Sequence, residues 1–264
     1  SSDLAAKHQL LLMLREWYMH PNGQLPAYEW NFGDVNPPVH AWAVLKVFAI
    51  DGSRDFDFLA RAFHKLLINF TWWINRKDAM GNNIFSGGFL GLDNIGPFDR
   101  SAALAGGAIL QQVDGTAWMA KYCLNMLEMA LRLANRSRAY EDVALKFFEH
   151  FARVSSALQT LWNDEDGFFY SRVLKADGSV LPVRERSMVG LLPVFAAVRL
   201  DATLWQQLPG FRDGARWFID HKPELCGFMD HHPHDDGNGL IGLVDPQRLG
   251  AVVRDQQHQA VPQR

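Results

Sequence analysis

Apolar side chains recur along this chain mostly at helical spacing, and the helices they predict alternate between two kinds. Val39 to Ile50 is apolar almost all round, behind a Pro37-Pro38 pair suited to a helix start, and reads as an inner helix buried on every side. Arg54 to Asn75 sets Asp57, Arg61, His64, Lys65, Asn69 and Asn75 opposite Phe56, Leu59, Phe63, Leu66, Phe70 and Trp73, the pattern of an outer helix. The pair recurs. Thr116 to Ala134 confines its polar positions to a narrow stripe of Lys121, Asn125, Glu128 and Arg132, whereas Tyr140 to Trp162 carries a broad charged face. Met188 to Leu200 predicts a third mostly apolar helix, interrupted at Pro193, with Phe211 to His221 after it. Inner helices cannot be covered by one partner alone, so successive pairs must close around one another as a helical toroid. One interruption predicts β structure: Phe168 to Leu174 and Ser179 to Val183 flank the turn signal Ala176-Asp177-Gly178 and read as an inserted hairpin.

Composition narrows the functions. The 264 residues carry 26 basic and 29 acidic side chains for a formal charge of -3, with no basic run to grip nucleic acid or an anionic membrane. No apolar stretch approaches the roughly 18 residues of a membrane span. Cys123 and Cys226 lie far apart in apolar contexts and read as buried free thiols, which fits a reducing, cytoplasmic setting. The histidines of Asp230 to Asp236 reproduce no tetrahedral ligand spacing, so no metal and no cofactor is expected. Neither a nucleophile elbow nor a phosphate-cradling glycine motif is present. The aromatic content suits core packing first and the apolar faces of sugars second.

Chemistry is sought in the two longest irregular stretches. In Ser86 to Arg100, Asp99 precedes Arg100 and suits an ion pair or a helix N-cap before Ser101. Asp93, between Leu92 and Asn94 and approached through glycines, has no adjacent cation. It is either an ordinary turn residue or a desolvated carboxyl group fit for general acid work. The stretch from Gly23 to Pro38 combines Tyr28, Glu29, Trp30, Asn31, Asp34 and Asn36, a mixture of rings, amides and carboxylates that satisfies either sugar hydroxyls or its own backbone. Arg184-Glu185-Arg186 reads as internal pairing.

The strings GQLPAYEWNFGDVNPPVHAWA (Gly23 to Ala43), SGGFLGLDNIGPFDRS (Ser86 to Ser101), QQVDGTAWMAKYCLNML (Gln111 to Leu127), DEDGFFY (Asp164 to Tyr170) and PVRERSMVGLLPVFA (Pro182 to Ala196) resemble glycoside hydrolase family 63. That family holds the processing α-glucosidases and bacterial mannosylglycerate hydrolase-like relatives. The resemblance implies an all-α (α/α)6 toroid of the six-hairpin glycosidase type, complete or partial, with the small hairpin as an insertion. It implies hydrolysis of an α-linked glucoside or mannoside, as an oligosaccharide or simpler glycoside, with inversion. It gives the general acid role to Asp93 and makes Asn36, Asn94, Asp114 and Trp118 subsite residues beside the 28 to 36 loop. One domain over 1–264 is expected, truncated at its C-terminus, with 222–264 a poorly matching tail.

An inverting enzyme also needs a second carboxylate about 6.5 to 9.5 Å from the first. The family supplies it as a glutamate late in the barrel, and no counterpart is found here. Glu29, Asp34, Asp114 and Glu185 are the in-chain alternatives, none carried by a motif. Two other readings therefore stand beside the glycosidase: a sugar-binding fragment that lacks the base, and a sugar epimerase on the same barrel with His40 as its acid-base residue.

Overall fold

The computed structural model describes residues 2–15, 17–28, 32–78, 81–86, 88–89, 98–100, 102–226 and 239–259. Glu29, Trp30, Asn31, Asp93, Asn94 and the 230–236 histidine segment lie outside the described residues.

The helices are α1 (Ser2–Met13), α2 (His40–Ile50), α3 (Phe56–Ile74), α4 (Val113–Ala134), α5 (Ala139–Gln159), α6 (Ala202–Gln207), α7 (Pro209–His221), α8 (Pro223–Cys226) and α9 (Pro246–Gln259). At the centre lies α4, on which only Trp118, Lys121, Glu128 and Arg132 escape full burial and none is exposed. Burying each of its Leu and Met side chains stabilises by about 1.5–3 kcal/mol. Three members of its narrow polar stripe are paired: Lys121 Nζ donates to the Ala197 carbonyl at 2.9 Å, and Arg132 pairs with Glu128 at 2.7 Å, while Asn125 Nδ2 is buried without a partner. α5 packs along α4 as the outer member of the pair, burying Ala144, Phe147, Phe148 and Phe151 on one stripe.

The first pair departs from expectation. α2 buries only Ala41, Val44, Leu45 and Phe48, a one-sided i, i+3, i+4, i+7 stripe, while Trp42 and Ile50 are exposed. An apolar composition all round did not mean burial all round. On α3 the expected apolar face is inward, but Asn69 joins it. α1, which the pattern did not single out, packs on α2 and α3. Its Lys7 binds Asp55 at 2.9 Å and Asp51 at 3.1 Å, and Asp55 also caps α3 by accepting from the Phe58 N–H at 2.9 Å.

Four small sheets join the helices. Strands β1 (Asp34–Val35) and β2 (Gly88–Phe89) pair in parallel. β3 (Ile109–Gln111) runs antiparallel to β6 (Arg172–Leu174), which forms the expected hairpin with β7 (Val180–Pro182), and β4 (Trp162–Asn163) pairs with β5 (Phe168–Phe169). The predicted third apolar helix is instead a 3-10 segment, Met188–Phe195, followed by β8 (Ala197–Leu200), which pairs with β9 (Gly239–Gly242). Pro193 removes a helix donor, and Ala197 to Leu200 finds its backbone partners across the sheet instead. Arg184 and Arg186 pair internally, with Glu165 at 3.2 Å and Asp166 at 3.7 Å. Among the described residues no helix is long and apolar enough to cross a membrane.

The 3-10 segment is packed without slack. A Cβ on Gly190 would stand 2.1 Å from a Phe168 ring carbon and 2.5 Å from the Phe169 carbonyl oxygen. Gly190→Ala is expected to destabilise the chain by about 1–3 kcal/mol, read as a lower Tm in thermal unfolding.

Candidate active site

The two stretches singled out in the sequence meet. The parallel pairing sets Asp34 opposite Gly88 and Val35 opposite Phe89, so the aromatic loop lies against the leading stem of the glycine-rich loop. The aromatic loop hangs from the core by one buried side chain. Asn69 Nδ2 donates to the Gly23 carbonyl at 2.8 Å, while its Oδ1 accepts from Tyr122 Oη at 3.0 Å. Gln24 reaches across the loop to the Phe32 carbonyl at 2.8 Å. Asp34 is buried and accepts a hydrogen bond from Tyr28 Oη, which fixes the edge of an exposed ring. Asn36 is exposed and reaches the Ala27 carbonyl at 3.5 Å.

On one side of this loop lies a cavity of about 650 Å³ whose wall includes Trp17, Tyr18, Tyr28, Phe32, Asn36 and His40. Trp17 is 83% exposed. Rings with polar neighbours present the surface that a sugar ring stacks on. His40 Nε2 is buried without a hydrogen-bond partner, and burial lowers the imidazole pKa below its ordinary value. On the other side, Gly33, Arg76, Ser86, Asp99, Arg100 and Gln112 help to line a second cavity of about 300 Å³. The Arg76 guanidinium lies 4.6 Å above the Trp72 ring, and burial lowers its pKa. Among the described residues no carboxylate pairs with it.

The first turn of α4 holds the trailing stem of the glycine-rich loop. Arg100 Nη1 pairs with Asp114 Oδ2, and the two side chains are 5% and 0% exposed. Arg100 is thereby committed to a residue fourteen positions on, and among the described residues the next element after Asp99 is a 3-10 turn, Ala105–Gly107. Thr116 Oγ1 accepts from the Phe85 N–H at 3.1 Å and donates to the Gln112 carbonyl at 2.7 Å. Two polar atoms one helical turn apart, Asp114 Oδ1 and Trp118 Nε1, are buried without partners. Glu185 is exposed at a cavity of about 40 Å³ that Arg100 also lines.

Asn69, Arg76 and Thr116 were missed as site residues. Asn69 falls among Ala62, Leu66, Phe70 and Trp73, and a polar residue within an apolar stripe was the available signal. Thr116 gave none, because Phe85 is 31 positions away, and Arg76 gave none, because a cation four residues after a Trp at a helix end reads as an ordinary surface pair.

Residues 6–219 match the family described as the mannosylglycerate hydrolase MGH1-like glycoside hydrolase domain. The chain is 47% identical over 274 aligned residues to the uncharacterized protein YMR196W of Saccharomyces cerevisiae; the alignment covers 94% of this chain and 25% of that protein. The chain thus spans a quarter of the length of this yeast relative. A family 63 mannosylglycerate hydrolase from Thermus thermophilus in complex with glucose superposes with a TM-score of 0.57 at 18% identity, covering 90% of this chain and 72% of that one. The same bacterium's enzyme in complex with Tris and D-glycerate superposes with a TM-score of 0.54 at 16% identity, covering 97% and 90%. The fold is of the (α/α)6 type. The chain belongs to the family of MGH1-like glycoside hydrolase domains, within the resemblance to family 63 that its motifs carry.

Gly23 lets the aromatic loop approach α3. Its φ is +97°, and a Cβ there would fall 2.4 Å from the Ile68 carbonyl oxygen. Gly23→Ala is expected to cost about 1–3 kcal/mol and to speed limited proteolysis between residues 20 and 36 at temperatures where the parent resists.

Proposed function

We propose that the chain hydrolyses an α-linked glucoside or mannoside with inversion of the anomeric centre, with Asp93 as the general acid. The observation that carries this reading is the β1–β2 pairing, which joins the aromatic loop to the stem leading, four residues after Phe89, to Asp93. A carboxylic acid there protonates the glycosidic oxygen as the bond lengthens, and the developing oxocarbenium character is met from the opposite face by water, which passes its proton to a second carboxylate. Tyr28 and Asn36 contact the sugar at the aromatic cavity, together with Glu29, Trp30, Asn31 and Asn94. Asp34 acts through Tyr28, and Trp118 is a further sugar contact in this reading.

The aglycone in this reading carries a carboxylate. D-glycerate occupies a complex of the Thermus enzyme. In this chain the support is Arg76, a cation over the Trp72 ring in the wall of the smaller cavity. Buried free thiols at Cys123 and Cys226 suit a reducing, cytoplasmic compartment.

A second reading, sugar binding without turnover, is favoured by the state of the in-chain base candidates. Asp34 is buried against Tyr28 and Asp114 against Arg100, which leaves Glu185 as the exposed one among those described.

The test is hydrolysis of α-glucosides and α-mannosides, including the glycosides of glycerate, with the first-formed anomer followed by NMR. The β-anomer is expected first, and Asp93→Asn is expected to lower kcat at least about 10³-fold with the fold retained. An Asp93→Asn variant that kept the parental rate would end this reading. Calorimetric glucose or mannose binding with no turnover would select the second. Arg76→Ala is expected to raise KM for a carboxylate-bearing substrate by about 10- to 100-fold and to leave a neutral α-glycoside unaffected, the loss of one charge-assisted hydrogen bond.

A further inference from the structure

We infer that the first turn of α4 is a clamp that positions the general acid, with Arg100 and Asp114 as positioning residues rather than sugar contacts. The inference rests on the assignment of Asp93. The geometry points to it because both stems of the glycine-rich loop end on the same helical turn. The leading stem is held at Phe85, whose N–H donates to Thr116 Oγ1, and the trailing stem at Arg100, whose guanidinium pairs with Asp114. Thr116 and Asp114 are themselves fixed, being wholly buried, and the start of α4 is tied to the sheet by Val113 N–H donating to Ser171 Oγ at 3.2 Å.

Asp114, wholly buried, sets where Arg100 lies and with it the trailing stem of the loop that carries Asp93. The ionic form is not required for packing alone, since well-packed apolar residues replace buried ion pairs without loss in other proteins. The pair supplies direction: a guanidinium donates to a carboxylate at fixed angles, and a trailing stem without it keeps its burial but loses its register.

The test pairs Arg100→Met with Asp114→Leu in one variant, which removes the link and preserves the apolar volume. Hydrogen exchange of peptides covering 86–101 is expected to speed at least about tenfold, with the α5 peptides 139–159 unchanged. On α-glycosides with poor leaving groups kcat is expected to fall about 10²-fold while KM stays within about threefold. On an α-glycosyl fluoride, whose leaving group needs no proton, the rate is expected to stay within about threefold of the parent. Unchanged exchange in 86–101 overturns the clamp whether or not the chain turns over. A parental rate on poor leaving groups, with Asp93→Asn inactive, overturns it while leaving the acid assignment standing. An active Asp93→Asn variant fails the acid assignment instead, and the exchange result alone then decides whether the stems are clamped. If the double variant does not fold, Arg100→Lys, which keeps the charge and loses the fork, is expected to show the same split between leaving groups, and equal losses on both would overturn the proposal.

Discussion

A helix that confines its polar side chains to its first turn and one narrow stripe over twenty-two residues has to be enclosed, and Val113–Ala134 is that helix. Its burial is the dominant favourable term in this half of the molecule, because water must be withdrawn from every face of it at once. α5 covers one side and α2, α3, the 3-10 segment and β8 cover others. The glycine-rich loop is anchored where this cylinder begins, through Thr116 and Asp114, and the aromatic loop further along it, through Asn69 and Tyr122. The unpaired N–H groups at the start of α4 and the positive end of its dipole also favour the carboxylate of Asp114 in the first turn.

That choice has a cost. Asp114 Oδ1 is buried without a hydrogen bond, and such an orphan costs about 1–3 kcal/mol in other proteins. Trp118 Nε1 repeats the pattern one turn on. Of the three unsatisfied polar atoms on the inner helix, with Asn125 Nδ2 the third, these two lie in its first turns, where packing alone would have chosen apolar side chains. The rest of the core shows what packing chooses: Phe63, Phe70 and Phe147 meet edge to face, with ring centroids 4.9 to 6.0 Å apart.

Much of this architecture was legible in the residues. Periodicity identified α3, α4 and α5, and the Asp177-Gly178 turn identified the hairpin, because both signals are local. The same logic over-read α2, since Trp42 and Ile50 are as apolar as Val44 and Phe48 and only the fold decides which stripe is covered. It misread Met188 to Leu200 because a short apolar run carries no period of its own, and the pairing partner, Gly239–Gly242, lies far along the chain. At the site, the composition of the loops pointed to sugar chemistry, and the long motifs pointed to the family. The residues that hold the loops in place, Asn69, Thr116 and Arg100, act across 31 to 46 positions or across a buried ion pair, and no local pattern announces such contacts.

The parallel strand pair has a kinetic corollary. Parallel neighbours cannot be joined by a tight turn, and here the connection from Val35 to Gly88 contains all of α2 and α3. The α4–α5 hairpin can form from contacts close in sequence, but β1 meets β2 only after two helices have docked and a long closure entropy has been overcome. The sugar-facing surface is therefore assembled late. A population arrested on the way to the native state would carry nearly its full helical content and yet have no organised cleft.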